Sequence, residues 1–241
     1  MARQEIDERH VATLSAADTS GYWWYAVRQA WVESALQDLP EHDHLDFGCG
    51  PGGVLATLVE RMAPRQALGL DGTEAAVDVA VSRGLDARYA DFRKPLDLPF
   101  TPNAITVLDV LEHLEDPVLA LKNLKAGSTP DARLVVTVPA MPSLHSEWDD
   151  MCGHFRRYTR ATLKAHLAEG GWRVERCRYF FSYCVPPAWL QRRVFKKVQD
   201  VEFPPVSAPM NTLMTFAGSV ERGLGGPLPF GTSIFATARP A

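Results

Sequence analysis

The chain has 241 residues, of which 46% are hydrophobic and 22% charged, enough for one sizeable hydrophobic core. Its formal net charge of −4 gives no positive field for a phosphate backbone, which argues against nucleic acid as a partner. The cysteines at positions 49, 152, 177 and 184 show neither CxxC pairs nor metal-ligand spacing. We therefore expect free thiols, no metal and, since no stretch has the length of a membrane span, a cytoplasmic protein.

The apolar residues predict helices alternating with strands. Helical spacing is found in residues 22–39, 54–62, 74–83, 117–126 and 160–169. Apolar strand patterns occupy residues 44–47, 66–71, 86–91, 103–110, 133–139, 172–181 and 233–240. This alternation predicts an α/β, Rossmann-like fold, in which helices cover both faces of a doubly wound, mostly parallel sheet.

The same pattern predicts a single domain, 1–241, with four parts. An N-terminal helical cap (1–40) precedes a cofactor-binding core (41–181). Residues 182–230 are rich in proline and aromatic residues and interrupt the alternation, so we expect a lid-like, acceptor-binding insertion, helical near 191–199 and 216–224. The final strand lies in residues 231–241.

A glycine-rich turn, DFGCGPG, follows the first strand. Glycine is required there because the turn needs backbone angles closed to other residues and must approach a ligand closely. Asp46 stands before the glycines in a DxGxGxG spacing. A carboxylate at this point suits a cationic amino acid group and repels a pyrophosphate, which disfavours a nicotinamide-dependent oxidoreductase.

Two further acids end the next strands. Asp71 lies about 20 residues past the turn, the spacing of a carboxylate that binds ribose hydroxyls. Asp91 ends the third strand, where it is placed to receive the amino group of adenine. Because parallel strands end at one edge of a sheet, Asp46, Asp71 and Asp91 are expected to line one ligand site.

The segments DFGCGPG, GLDGT, ADF and LDVLEHLEDP together resemble the successive motifs of class I S-adenosylmethionine-dependent methyltransferases, over roughly residues 40–140. The resemblance implies S-adenosylmethionine as cofactor, with S-adenosylhomocysteine as its product. It places the glycines around the methionine part, Asp71 at the ribose, Asp91 at the adenine and Asp109 near the transferred methyl. The expected cofactor-binding residues are Asp46, Gly48, Cys49, Gly50, Gly52, Asp71, Gly72, Asp91, Phe92, Asp109, Val110 and His113.

A narrower resemblance involves PSLHSEWDDMCGHFRRYT, which is similar to a PSLWSxHDxxxGHxRRYT motif of one subfamily. That subfamily also has an HWWF-like stretch, here YWWY. His145 replaces the tryptophan of the longer motif, Trp148 replaces its histidine, and Tyr22 replaces the histidine of the shorter one. The expected acceptor-binding residues are Tyr22, Trp24, Tyr25, His145, Trp148, Asp149 and Arg157.

Methyl transfer from a sulfonium is an in-line displacement that needs a base only if the acceptor loses a proton. His145, His113 and His154 are the candidates. His145 is favoured because its loop follows the fifth strand at the ligand edge, where Asp149 could orient the imidazole. The alternatives are a solvated His145, a His154 that pins its loop through hydrogen bonds, and a His113 that lines the cofactor pocket.

The aromatic residues of both candidate lid segments favour a small, flat acceptor, aromatic or heteroaromatic, such as an indole-like intermediate of specialised metabolism. The subfamily resemblance keeps a sugar or lipid-linked saccharide as an alternative acceptor. A non-catalytic, cofactor-binding regulatory module is the alternative of another class. The expected partner is a small-molecule acceptor. The sequence leaves open whether the protein forms a homodimer.

Overall fold

The computed structural model describes residues 21–39, 41–190, 206–224 and 228–241. The first twenty residues of the expected N-terminal cap lie outside the described residues. The same holds for the helix predicted at 191–199, with its basic residues Arg192, Arg193, Lys196 and Lys197.

The described residues contain seven strands and eight α-helices. The strands are β1 (Asp43–Phe47), β2 (Gln66–Asp71), β3 (Ala87–Tyr89), β4 (Ala104–Leu108), β5 (Arg133–Pro139), β6 (Trp172–Phe180) and β7 (Ser233–Pro240). The helices are α1 (Trp23–Leu36), α2 (Gly53–Met62), α3 (Glu74–Ser82), α4 (Pro117–Ala126), α5 (Glu147–Met151), α6 (Arg160–Glu169), α7 (Val185–Trp189) and α8 (Ala208–Gly223).

The strands form one sheet in the order β3-β2-β1-β4-β5-β7-β6. The neighbours from β3 to β5 pair in parallel, and β7 runs antiparallel between β5 and β6. The order reverses between β1 and β4, where open α/β sheets bind ligands at the carboxyl ends of their strands. The Rossmann-like, mostly parallel sheet predicted from the sequence is confirmed.

The hydrophobic core lies on both faces of the sheet. On one face, Leu121 of α4 and Leu163 of α6 pack in the main buried cluster with Trp172. On the other face, Trp31 of α1 packs beside Phe235 of β7 in a second cluster. The sequences of β4 and β5 are nearly continuously apolar because both of their faces are buried; Thr106 and Thr137 are the buried polar residues within them.

The insertion before β7 differs in detail from the prediction. The helix expected near 216–224 begins earlier, at Ala208, because Pro209 occupies its first turn, where proline's missing N–H costs no hydrogen bond. α8 lies along α1, where the Asn211 side chain accepts from the Trp23 N–H at 2.8 Å and donates to the Gly21 carbonyl at 2.9 Å. Glu221 accepts from the Phe181 and Ser182 amides. This part of the insertion is thus fixed to the N-terminal helix.

The predicted loop at 142–158 contains the short helix α5, and all four cysteines are free thiols, as expected. Within the described residues, none of the helices is both long enough and apolar enough to cross a bilayer.

Candidate cofactor and acceptor site

The glycine turn after β1 has left-handed backbone angles at alternate residues. The φ values are +80° at Gly48, +54° at Gly50 and +82° at Gly52. A Cβ at Gly48 would lie 2.3 Å from Cγ2 of Val110, so the turn also needs glycine for close packing. The Gly48 amide donates to the Leu70 carbonyl at 2.7 Å, which joins the turn to β2. The predicted tight turn therefore rests on conformation and space together.

Asp71 connects the glycine turn to the next helix. Its Oδ2 accepts from the Gly50 amide at 2.8 Å, and its Oδ1 accepts from the Thr73 amide at 2.9 Å, just before α3. Gly72 between them is exposed, and a Cβ there would meet only the Ala90 carbonyl, at 3.9 Å. The carboxylate predicted to bind ribose thus also fixes the shape of the turn.

Asp91 lies at the end of the third strand region, with its carboxylate held by its own loop. It accepts from Arg93 Nε at 2.8 Å, Arg93 Nη2 at 3.0 Å and the Arg93 amide at 3.1 Å. These hydrogen bonds lower the pKa of Asp91 to about 2. The Arg93 side chain is itself exposed. The neighbouring Phe92 is buried, and its ring stacks on Phe47 with centroids 3.7 Å apart.

Asp46 is buried at the end of β1. Its Oδ1 accepts from the Thr106 hydroxyl at 2.7 Å, and Nε2 of His44 lies 3.0 Å from the same hydroxyl oxygen. Burial raises the pKa of Asp46 to about 6, and the Asp71 charge adds to this, while the Thr106 hydrogen bond and Arg28 oppose it. Cys49, in the turn itself, is also buried, and burial raises the pKa of its thiol.

Asp109, after β4, has a φ of +57°, which is rare outside glycine and common at functional sites. Its Oδ2 accepts from Arg28 Nη1 at 2.6 Å and from the Thr137 hydroxyl at 2.9 Å. Arg28 was not among the predicted site residues. The available signal was an arginine in the apolar stripe of α1, one turn after Trp24.

The N-terminal aromatic residues surround this ion pair. The Arg28 guanidinium lies 4.4 Å from the ring centroid of Trp24 and 5.1 Å from that of Tyr25. Trp24 stacks on Phe181 at 5.9 Å, and Tyr25 meets Trp24 edge-on at 5.1 Å. Tyr22 precedes the helix and is half-buried. The rings of Trp24 and Tyr25, both predicted to bind the acceptor, therefore contact the arginine that pairs with Asp109, and they also pack against each other and Phe181.

Asp149 organises the loop after β5. Its carboxylate accepts from the Ser146 amide at 2.9 Å and from Arg157 Nε at 2.6 Å, and its Oδ1 lies 3.1 Å from His154 Nδ1. Asp149 lies in the first turn of α5 and closes the capping box with Ser146, so the contacts shown for its carboxylate go to Ser146, His154 and Arg157. Asp150 faces His145 instead, 3.7 Å from its Nε2.

The remaining predicted residues of this loop separate into two environments. His145 lies at the surface, and Trp148 is partly buried on α5. His154 packs edge-on against His113, with ring centroids 4.7 Å apart, beside the buried Glu112. Burial, and then repulsion from Asp109, raises the pKa of Glu112. Glu112 was not among the predicted site residues. The available signal was an acid directly before the predicted His113 in the LDVLEHLEDP motif.

Comparison with known proteins identifies the family of the chain. A family model described as a methyltransferase domain matches residues 22–176. A tabtoxin biosynthesis enzyme of Pseudomonas amygdali pv. tabaci is 30% identical over 177 residues, which are 66% of each chain. An uncharacterized 37.1 kDa protein in transposon TN4556 of Streptomyces fradiae is 30% identical over 70% of this chain and 51% of its own length. The chain thus spans about half to two thirds of these relatives.

Among solved structures, an S-adenosylmethionine-dependent methyltransferase from Mesorhizobium loti has a TM-score of 0.61 at 16% identity, covering 88% of this chain and 97% of its own. At that identity the likeness concerns the fold. The chain belongs to the family of methyltransferase domains. The class I assignment drawn from the motifs is confirmed, and S-adenosylmethionine is the cofactor of this class.

Proposed function

We propose that the protein transfers the methyl group of S-adenosylmethionine to a small aromatic or heteroaromatic acceptor of specialised metabolism. The observation that carries this proposal is the contact between Arg28 and Asp109. It brings the aromatic N-terminal helix to the strand edge that also carries the glycine turn. A flat acceptor would there meet aromatic faces next to the expected position of the transferred methyl.

The cofactor roles follow the order of the strand ends. The glycine turn and Asp46 surround the methionine part, Asp71 receives the ribose and Asp91 the adenine. The hydrogen bond from the Gly50 amide to Asp71 supports this assignment, because one carboxylate then couples the shape of the turn to the sugar site. Asp91 would accept a hydrogen bond from the adenine amino group after the exposed Arg93 side chain moves away from the carboxylate.

His145 is the proposed base for an acceptor that must lose a proton. It lies after β5, at the ligand edge, and its side chain is about one third exposed, so an acceptor can reach the imidazole. Oδ1 of Asp150 lies 3.7 Å from Nε2 of His145, close enough to orient the imidazole. The name of the Pseudomonas relative, a tabtoxin biosynthesis enzyme, supports a role in specialised metabolism.

An acceptor screen with isotope-labelled S-adenosylmethionine tests this proposal. The panel contains indoles, phenols, free sugars and lipid-linked saccharides, and mass spectrometry detects the labelled product. Label in an aromatic product is expected. Label only in a saccharide would establish the alternative acceptor class, and cofactor binding without any labelled product would favour the regulatory module. The Asp71→Ala variant serves as the background control.

A further inference from the structure

Three side chains with metal-binding atoms meet beyond the end of β4. Glu112 and His113 lie on the short 3-10 turn Leu111–His113, and His154 lies on the loop after α5. One carboxylate oxygen of Glu112 and one ring nitrogen of each histidine all lie within 4.8 Å of one another. His154 is distant in sequence from the other two, so the fold alone brings the cluster together.

Glu112 is unusual among the three because it is buried. The residue is 1% exposed, and its Oε2 has no hydrogen-bond partner among the residues that the structure describes. A buried carboxyl oxygen without a partner costs free energy that a bound cation would offset. Asp109 adds a negative charge near Glu112, and the two nearby guanidinium groups, Arg28 and Arg157, are each paired with another carboxylate, Asp109 and Asp149.

His154 has the environment of a metal ligand. Its Nδ1 lies 3.1 Å from Oδ1 of the buried Asp149, and Arg157 fixes that carboxylate from the other side. A proton on Nδ1, shared with Asp149, leaves the Nε2 lone pair for a metal. Histidines that bind metals commonly hold a carboxylate on their other nitrogen in this way.

We propose that Glu112, His113 and His154 form a binding site for a divalent transition-metal ion of the zinc or iron(II) type. Two imidazole nitrogens and one carboxylate oxygen suit such ions better than magnesium or calcium, which prefer oxygen ligands. Metal–ligand distances of about 2.0–2.2 Å place tetrahedral ligands about 3.4 Å apart. Since the donor atoms lie within 4.8 Å of one another, they need to approach by about 1.4 Å at most.

Three protein ligands leave a coordination position open, as in catalytic rather than structural metal sites. That position would take an oxygen of the acceptor and orient it near Asp109. The metal site itself does not depend on the acceptor class or on the methyl transfer proposed above. A metal titration therefore tests the metal site, and the acceptor screen separately tests the proposed function.

The full-length, tag-free protein is first treated with a chelator and then titrated with Co²⁺, whose visible absorption reports binding. Zn²⁺ is then added to displace the Co²⁺. We expect one equivalent to bind. Glu112→Gln, which keeps the shape of the side chain, and His154→Gln should each weaken binding by about 100-fold or more. His145→Gln is the matched control, because it removes a surface histidine on the other side of α5 in the same loop, and it should bind the metal as the wild type does.

Circular dichroism first establishes that the variants are folded. A wild-type protein that takes up no Co²⁺ or Zn²⁺ at concentrations up to about 100 μM would overturn the proposal, since that range covers sites far weaker than those of zinc proteins. Equal binding by the wild type, Glu112→Gln and His154→Gln would also overturn it, because the metal would then be held elsewhere.

Discussion

Arg28 donates from Nη1 to Oδ2 of Asp109 over 2.6 Å, with only 7% of the arginine side chain and 21% of the aspartate side chain exposed. This contact joins the N-terminal helix to the end of the fourth strand. It also places a cation between the rings of Trp24 and Tyr25 and the acids of the sheet edge. This ion pair therefore helps to hold the aromatic helix over the strand ends, together with the packing of Trp31 on Phe235 and the hydrogen bond from the Trp23 amide to Asn211.

Arg28→Met should lower the free energy of unfolding by about 2–4 kcal/mol, because the mostly buried Asp109 carboxylate would then have lost its paired cation. Arg28→Met combined with Asp109→Asn should recover much of the loss, since the uncompensated charge is removed as well. Urea unfolding of the wild type, the two single variants and the double variant measures this coupling. Arg61→Met is the control: its pair with Glu33 is exposed and should be worth about 0–1 kcal/mol. Additive effects of Arg28→Met and Asp109→Asn would show that the contact is incidental.

Asp71→Ala should weaken binding of S-adenosylhomocysteine by about 10- to 1,000-fold while the protein stays folded. The variant loses the carboxylate expected at the ribose and the acceptor of the Gly50 amide. Isothermal titration calorimetry measures the affinity. Asp86→Ala is the matched control, because Asp86 is an exposed acid paired only with the nearby Arg88 among the contacts shown at that strand. Unchanged affinity in folded Asp71→Ala would remove Asp71 from the cofactor site.

Asp46 should make stability depend on pH. Its pKa in the folded protein, about 6, lies above the value of 3.8 for a free side chain, so the folded state holds the extra proton between these values. The free energy of unfolding should therefore fall as pH rises from about 4 to about 6, by at most about 3 kcal/mol from this residue. Asp46→Asn should be more stable than the wild type at pH 7 and bind the cofactor more weakly. Urea unfolding between pH 4 and 8 compares them; parallel curves for both proteins would contradict the assignment.

His145→Ala should slow the chemical step by about 10²–10⁴-fold with little change in cofactor affinity, provided that the acceptor loses a proton. His145→Gln should recover little of the rate, because an amide forms hydrogen bonds but is not a comparable base. Single-turnover kinetics across pH on both variants, with the acceptor found by the screen, decides between base and positioning group. Rates close to the wild type for both would transfer the role to His113 or His154.

Much of the fold could be predicted because the spacing of hydrophobic residues and the positions of glycines are local properties of the sequence. The positions of Asp46 and Asp71 at the ends of their strands followed from these properties, whereas Asp91, predicted to end the third strand, lies two residues past β3. The antiparallel direction of β7 did not follow from these properties, since a buried apolar run such as SIFATARP has the same pattern in either direction. The extent of α8 was also underestimated, because Pro209 suggested a break where it forms the first turn.

The site was less predictable where it depends on contacts between distant segments. Arg28 meets Asp109 across 81 positions of the sequence, and no local pattern encodes that pairing. Asp149 is adjacent to Asp150, yet only the helical turn of α5 determines which of them faces His154 and which faces His145. These contacts are determined by the packing of the folded chain.

Binding of S-adenosylhomocysteine by the wild-type protein is the most direct test of the central claim, that the glycine turn and the strand-end acids form a methyl-donor site. Calorimetric titrations with S-adenosylhomocysteine and, separately, with NAD measure it. We predict saturable binding of one S-adenosylhomocysteine per chain and none of NAD, because the buried Asp46 repels a pyrophosphate. Binding of NAD, or no binding of S-adenosylhomocysteine by folded protein, would contradict the account.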